Sequence, residues 1–115
     1  MSILIEPESR MQRMWLFAMF DLPVKSKSDR RAYTRFRNAL LANGFMMLQF
    51  SIYVRPCENR KQASTYTRRV KQVLPITGGQ VRVIAITDKQ FSDMKVYEKR
   101  RKKVPEEAPD QLLLL

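Results

Sequence analysis

The hydrophobic pattern of this chain changes period from segment to segment, and the periods predict its elements. Met14–Phe20 is an apolar run of seven residues that stops at Asp21. A membrane span needs about 20 such residues, so the run is too short to cross a bilayer. With no polar alternation, it predicts a strand covered on both faces. Pro23 offers no N–H to a sheet ladder and biases Leu22 away from the helical region, which ends the strand about here. Asp21 therefore falls at the carboxyl end of a central strand. In sheets that carry helices, ligands and metals collect at such ends. A carboxylate placed there requires water, a donor or a cation.

Ser26–Asn43 has a helical period. Ala32, Tyr33, Phe36, Ala39 and Leu40 make its apolar stripe, and Arg30, Arg31, Arg35 and Arg37 fall largely off it. Ser26 and Asp29 form a weaker version of the capping box, and Asn43-Gly44 is a helix stop. Phe45–Arg55 then alternates with period two. Leu48, Phe50, Ile52 and Val54 share an apolar face, and Gln49, Ser51, Tyr53 and Arg55 a polar one. The segment is long for one strand, which predicts a bend or a split near Ser51, and Pro56 closes it. Asn59 caps a second helix to about Val73, with Ala63, Tyr66, Val70 and Val73 inward. Leu74-Pro75 ends that helix and Thr77-Gly78-Gly79 is a turn. Gln80–Ile86 is β-rich. Thr87 and Gln90 make a capping box for a short helix bearing Phe91 and Met94. Lys95–Glu98 is expected as a brief edge strand.

This order predicts an α+β, ferredoxin-like βαββαβ sandwich with an extra C-terminal strand. The first strand is apolar on both faces, so the face away from the helices needs a cover. A two-fold homodimer packed sheet to sheet would supply it. Residues 1–10 read as an N-terminal extension, 11–98 as the domain, and 99–115 as a basic and then acidic C-terminal tail. Within that tail Lys99–Lys103 is unbroken positive charge, Val104–Asp110 is Pro-rich and acidic, and Leu112–Leu115 are four leucines.

Charge narrows the partners. The 115 residues hold 22 Lys+Arg against 11 Asp+Glu, a formal net charge of +11. That favours a polyanionic partner, most plausibly nucleic acid or an anionic membrane surface. Met1–Gln12 has no apolar core and so is expected to be neither signal peptide nor anchor. Cys57 is the only cysteine, which excludes an intrachain disulfide and a thiolate cluster and fits a reducing cytoplasm. Histidine is absent, which excludes Ser-His and Cys-His catalysis and His-ligated zinc. Hydrolysis by this chain would rest on carboxylates with a hard cation.

Several of these stretches together resemble one family. They are Met14-Trp-Leu-Phe-Ala-Met-Phe-Asp21-Leu-Pro23, Arg31-Ala-Tyr33, Arg35-Phe-Arg37, Gly44-Phe45 and Leu48-Gln49-Phe50-Ser51-Ile-Tyr53. In order and spacing they are similar to the CRISPR-associated protein 2 family. Thr87-Asp-Lys-Gln-Phe91 with Met94 is similar to its type II version, and the resemblance covers about Met11 to Tyr97. It implies a ferredoxin-like homodimer that works with the partner integrase, CRISPR-associated protein 1, in capturing foreign duplex DNA as spacers. It also implies a Mg²⁺-dependent endonuclease acting on RNA or double-stranded DNA, with Mn²⁺ as the alternative metal. Asp21 takes the place of the metal-binding, catalytic aspartate, shared with Asp21 of the second protomer. The competing reading of Asp21 is a carboxylate accepting backbone N–H bonds in the turn before Pro23.

Lys25, Lys27, Arg30 and Arg31 crowd the loop and helix start after Asp21. The resemblance turns this region toward the DNA backbone, and helix amides add an anion site. A solvated helix face is the plainer alternative. Ser51 and Tyr53 are expected in packing and hydrogen bonding at the sheet interface. The resemblance makes Lys95–Glu98 the candidate for contacting the other protomer and the integrase. A reading without the resemblance is an RNA-binding ferredoxin-like module or a ribosomal-type protein. RNA-recognition modules carry an aromatic K/R-G-F/Y-G/A-F pattern on a central strand, and Gln49–Arg55 lacks it.

Overall fold

A computed structural model describes residues 12–99. Its elements are β1 (Met14–Asp21), α1 (Lys27–Ala42), β2 (Met46–Gln49), β3 (Ile52–Cys57), α2 (Arg60–Gln72), β4 (Gln80–Thr87) and α3 (Asp88–Ser92). The strands form one sheet in the order β2-β3-β1-β4. β1 pairs antiparallel with both β3 and β4, and β2 antiparallel with β3. This is the α+β, ferredoxin-like arrangement that the pattern predicts. Most of the extension and tail lies outside the described residues.

β1 is apolar from Met14 to Phe20 because it has neighbours on both edges and packing on both faces. Met14, Leu16, Ala18 and Phe20 join one core with Phe36 and Leu40 of α1, Ala63 and Val70 of α2, and Tyr53 and Cys57 of β3. Trp15 and Phe17 point the other way and are covered by α3. Phe91 stacks on Trp15 with ring centroids 4.1 Å apart, and meets Phe17 edge-on at 5.9 Å. Trp15 Nε1 donates to Asp88 Oδ1 at 2.7 Å. Part of the cover expected from a second copy thus comes from this chain's own short helix. Ile84 and Met46, in the same cross-sheet row as Phe17 and Val54, stay half exposed.

The local signals act as their chemistry requires. Ser26 Oγ accepts from Asp29 N at 2.9 Å while Asp29 Oδ2 accepts from Ser26 N at 3.2 Å, completing a capping box. Thr87 and Gln90 form another. Asn59 caps α2 by accepting from Gln62 N.

Three expectations need correction. The β-segment does split at Ser51, which takes φ 64°, but its faces are reversed. Tyr53 is 1% exposed and faces the helices, whereas Phe50 is 81% exposed. Both faces of this sheet are apolar, so alternation could not say which one met the helices. Tyr53 resolves its polarity by burying its ring and letting Arg37 Nε donate to its hydroxyl at 2.8 Å. Pro56 does not close β3, because it pairs with Trp15 inside the strand. β2 pairs only with Ile52–Val54, so β3 has an open outer edge beside Pro56, where a proline is tolerated. Finally, Lys95–Glu98 forms no strand. Extended segments need a partner ladder, and here Val96 and Tyr97 stand in solvent, 80% and 91% exposed.

Candidate functional site

Asp21 is the last residue of β1 and is exposed, in register with Gln80 at the start of β4. On the other side of β1, the Ser51 carbonyl accepts from Phe20 N at 3.0 Å. Ser51 holds its left-handed backbone with its hydroxyl 3.1 Å from that of Tyr33. Together these strands leave an open depression of about 320 Å³ walled by Asp21, Phe50, Ser51, Ile52, Gln80 and Arg82. Arg82 donates to Gln80 Oε1 at 3.0 Å.

The turn after β1 spends its donors elsewhere. Ser26 N goes to Asp29, and Arg30 Nη1 donates to the carbonyls of Val24 and Lys25 at 3.2 and 2.9 Å. Among the described residues none of these bonds uses the Asp21 carboxylate, and the one salt bridge is Lys89–Asp93. Asp21 is therefore presented to water rather than absorbed by its turn. Its oxygen donors suit a hard cation such as Mg²⁺, which keeps several waters of its own. No trio of His, Cys, Asp or Glu gathers anywhere among the described residues, so one copy offers that cation a single carboxylate.

The basic residues after Asp21 separate by structure. Lys27, Arg30, Arg31 and Arg35 line an open groove of about 680 Å³ along α1, with Thr34 and Asn38. Lys25 sits in the preceding loop and does not line it. Arg35 and Asn38 were absent from the set predicted from sequence, although the signal was available. Lys27, Arg31, Arg35 and Asn38 recur at helical spacing and so share one face. Other arginines are structural. Arg55 lies 3.5 Å over the Tyr66 ring and donates to Asn43 O at 2.8 Å, and Arg69 flanks the same ring at 4.9 Å. Cys57 is buried, and desolvation pushes its thiol up while nearby Arg55 opposes the shift. An exposed, reactive thiolate is not among this site's tools.

A second, apolar groove of about 270 Å³ adjoins the basic one. Phe36 and Ala39 of α1 form one wall, Val73–Ile76 the other, and Arg35 borders both grooves. No helix among the described residues is long and apolar enough to cross a membrane.

Fold and surface define a class: a small ferredoxin-like protein with a cationic helix face and a lone carboxylate at the end of its central strand. The chain belongs to the CRISPR associated protein Cas2 family, whose model matches residues 14–94. It is 47% identical over 98 residues to a CRISPR-associated endoribonuclease Cas2 of Paracidovorax avenae, covering 85% of this chain and 90% of that one. A relative of the same name from Parvibaculum lavamentivorans is 43% identical over 101 residues, 88% and 99% of the two chains. A third, from Flavobacterium psychrophilum, is 40% identical over 102 residues, 89% and 87%.

Proposed function

We propose that this protein is a CRISPR adaptation factor, a dimeric scaffold that holds duplex DNA by its backbone while the partner integrase performs strand transfer. The observation that carries this reading is the groove of Lys27, Arg30, Arg31 and Arg35, presented on a rigid helix of a Cas2-family chain. Cations spaced along a helix match phosphates, and phosphate contacts position a duplex without reading its sequence. Capture of varied DNA needs that indifference. The half-exposed row of Ile84 and Met46 supports a second copy on the outer sheet face, and the exposed segment Lys95–Tyr97 supports a contact with that copy or with the integrase.

A second activity is favoured by Asp21, exposed and unclaimed by its turn, and by relatives whose names specify an endoribonuclease. In this reading two Asp21 carboxylates, one from each copy, hold Mg²⁺ or Mn²⁺. When bound, such an ion supplies Lewis-acid activation of water toward a phosphodiester. The chain's own part is to hold Asp21 at the strand end, with Ser51 and Gln80 fixing the backbone on either side. Histidine-free hydrolysis leaves no other side chain of this depression to act as base.

One experiment separates the two. Spacer integration is measured with the purified protein and its integrase, comparing wild type with a folded, dimeric Asp21→Asn variant. The scaffold reading expects integration to persist, because Asp21 chemistry is then dispensable. Loss of integration with complex assembly and duplex binding intact would instead assign Asp21 a direct role.

A further inference from the structure

The groove on α1 has an apolar neighbour that phosphate binding does not use. Leu74 is 44% exposed and Ile76 91% exposed beside it, apolar surface left in water with Arg35 as the boundary to the basic side. A DNA backbone prefers cations, not leucines, so another occupant is needed. The chain itself contains a segment with the same two chemistries in sequence. Glu106, Glu107 and Asp110 are followed by Leu112–Leu115.

We infer that residues 104–115 dock on the outer side of α1, acids toward Lys27, Arg31 and Arg35, leucines against Leu74 and Ile76, and so compete with a polyanion for this helix face. Charge complementarity selects the acidic part and rejects the run Lys99–Lys103, which has the same sign as the groove. Asp110 and Leu112 are separated by about 7 Å of extended chain, so one short segment can pass from one groove to its neighbour. Reach is sufficient. From Lys99 to Leu112 an extended chain spans up to about 43 Å, and a domain of this size is roughly 30 Å across. Tethering supplies an effective concentration in the millimolar range, so even a weak segment occupies the groove until a ligand with many phosphates displaces it.

The test uses the full chain with a spin label on a cysteine introduced by Gln111→Cys, the native Cys57 being buried and poorly reactive. Amide signals of Thr34–Asn38 and of Leu74 and Ile76 should broaden selectively. Replacing Leu112, Leu113, Leu114 and Leu115 by Ser, at unchanged charge, should abolish that broadening and tighten duplex binding about threefold at low salt. Absent or uniform broadening in the labelled chain overturns the inference. So does equal broadening of isotope-enriched copies that carry no spin label when they are mixed with labelled ones, which would assign the segment to a second copy. Only the competition rests on the nucleic-acid reading of α1. Local broadening that duplex DNA fails to erase leaves the docking standing and removes that reading instead.

Discussion

A Cβ at Gly79 would lie 2.4 Å from the carbonyl oxygen of Asp21, closer than real Cβ atoms approach backbone, and a tight 3.0 Å from Leu22 Cα. Gly79 also takes φ 92°. The candidate site thus depends on a residue with no chemistry of its own: glycine lets β4 start against the end of β1. Gly78 is the natural control, since it has φ 96° but open space where its Cβ would go. Gly78→Ala should cost about 1–2 kcal/mol from backbone conformation alone. Gly79→Ala should cost more, because a backbone clash is added and one of the two strands must move. Urea denaturation of both variants decides the point, and equal midpoints would show that the close approach is not needed. At this scale the sequence was legible where covalent geometry speaks. Pro23 located the end of β1, and Asp21 with it. It was silent where two faces are equally apolar, which is why the orientation of Tyr53 needed the structure. The left-handed backbone of Ser51 sits where the split was expected, but no side-chain pattern announces that conformation in a serine.

Elements were readable in proportion to how local their causes are. Both long helices begin at the caps named from sequence, because a cap needs only residues three or four apart. The short α3 was likewise marked by Thr87 and Gln90. What it does was not, since the stack of Phe91 on Trp15 joins residues far apart in the chain. A helix of five residues has little stability by itself, so this packing must hold it. Phe91→Ala is therefore expected to cost about 2–4 kcal/mol, somewhat below a full core Phe→Ala loss, because Phe91 is only half-buried. Trp15 is the only tryptophan, so its emission reports on this site alone. It should shift to the red in the native variant as water reaches the indole. Unchanged emission and midpoint would mean that α3 is ornament on the sheet. The expected strand at Lys95–Glu98 marks the limit of local reading. Strand propensity is realised only beside a partner, and among the described residues this segment has none.

At the scale of the whole molecule, the formal charge of +11 says that a polyanion is welcome but not where. The structure divides that charge. Arg37, Arg55 and Arg69 are committed to Tyr53, Asn43 and Tyr66, whereas Lys27, Arg31 and Arg35 stand along one open groove. The division makes opposite predictions for residues of identical type. If the groove binds a duplex, log K should fall steeply with log salt, and Arg31→Ala or Arg35→Ala should each flatten that slope by about 1. Arg55→Ala should leave the slope alone and lower thermal stability instead, since it removes the stack on Tyr66 and the bond to Asn43 O. Titrations of a labelled duplex at several salt concentrations, with melting curves of the same variants, measure both effects. Equal flattening by all three would mean that net charge alone governs binding and that the groove has no special part in it. Salt-insensitive binding would go further and remove phosphate contact as the basis of the function. The outcome matters beyond affinity, because the proposed scaffold role would require a duplex held in one orientation. Charge spread over the whole surface attracts DNA without orienting it, whereas three cations on successive turns of one capped helix fix a direction.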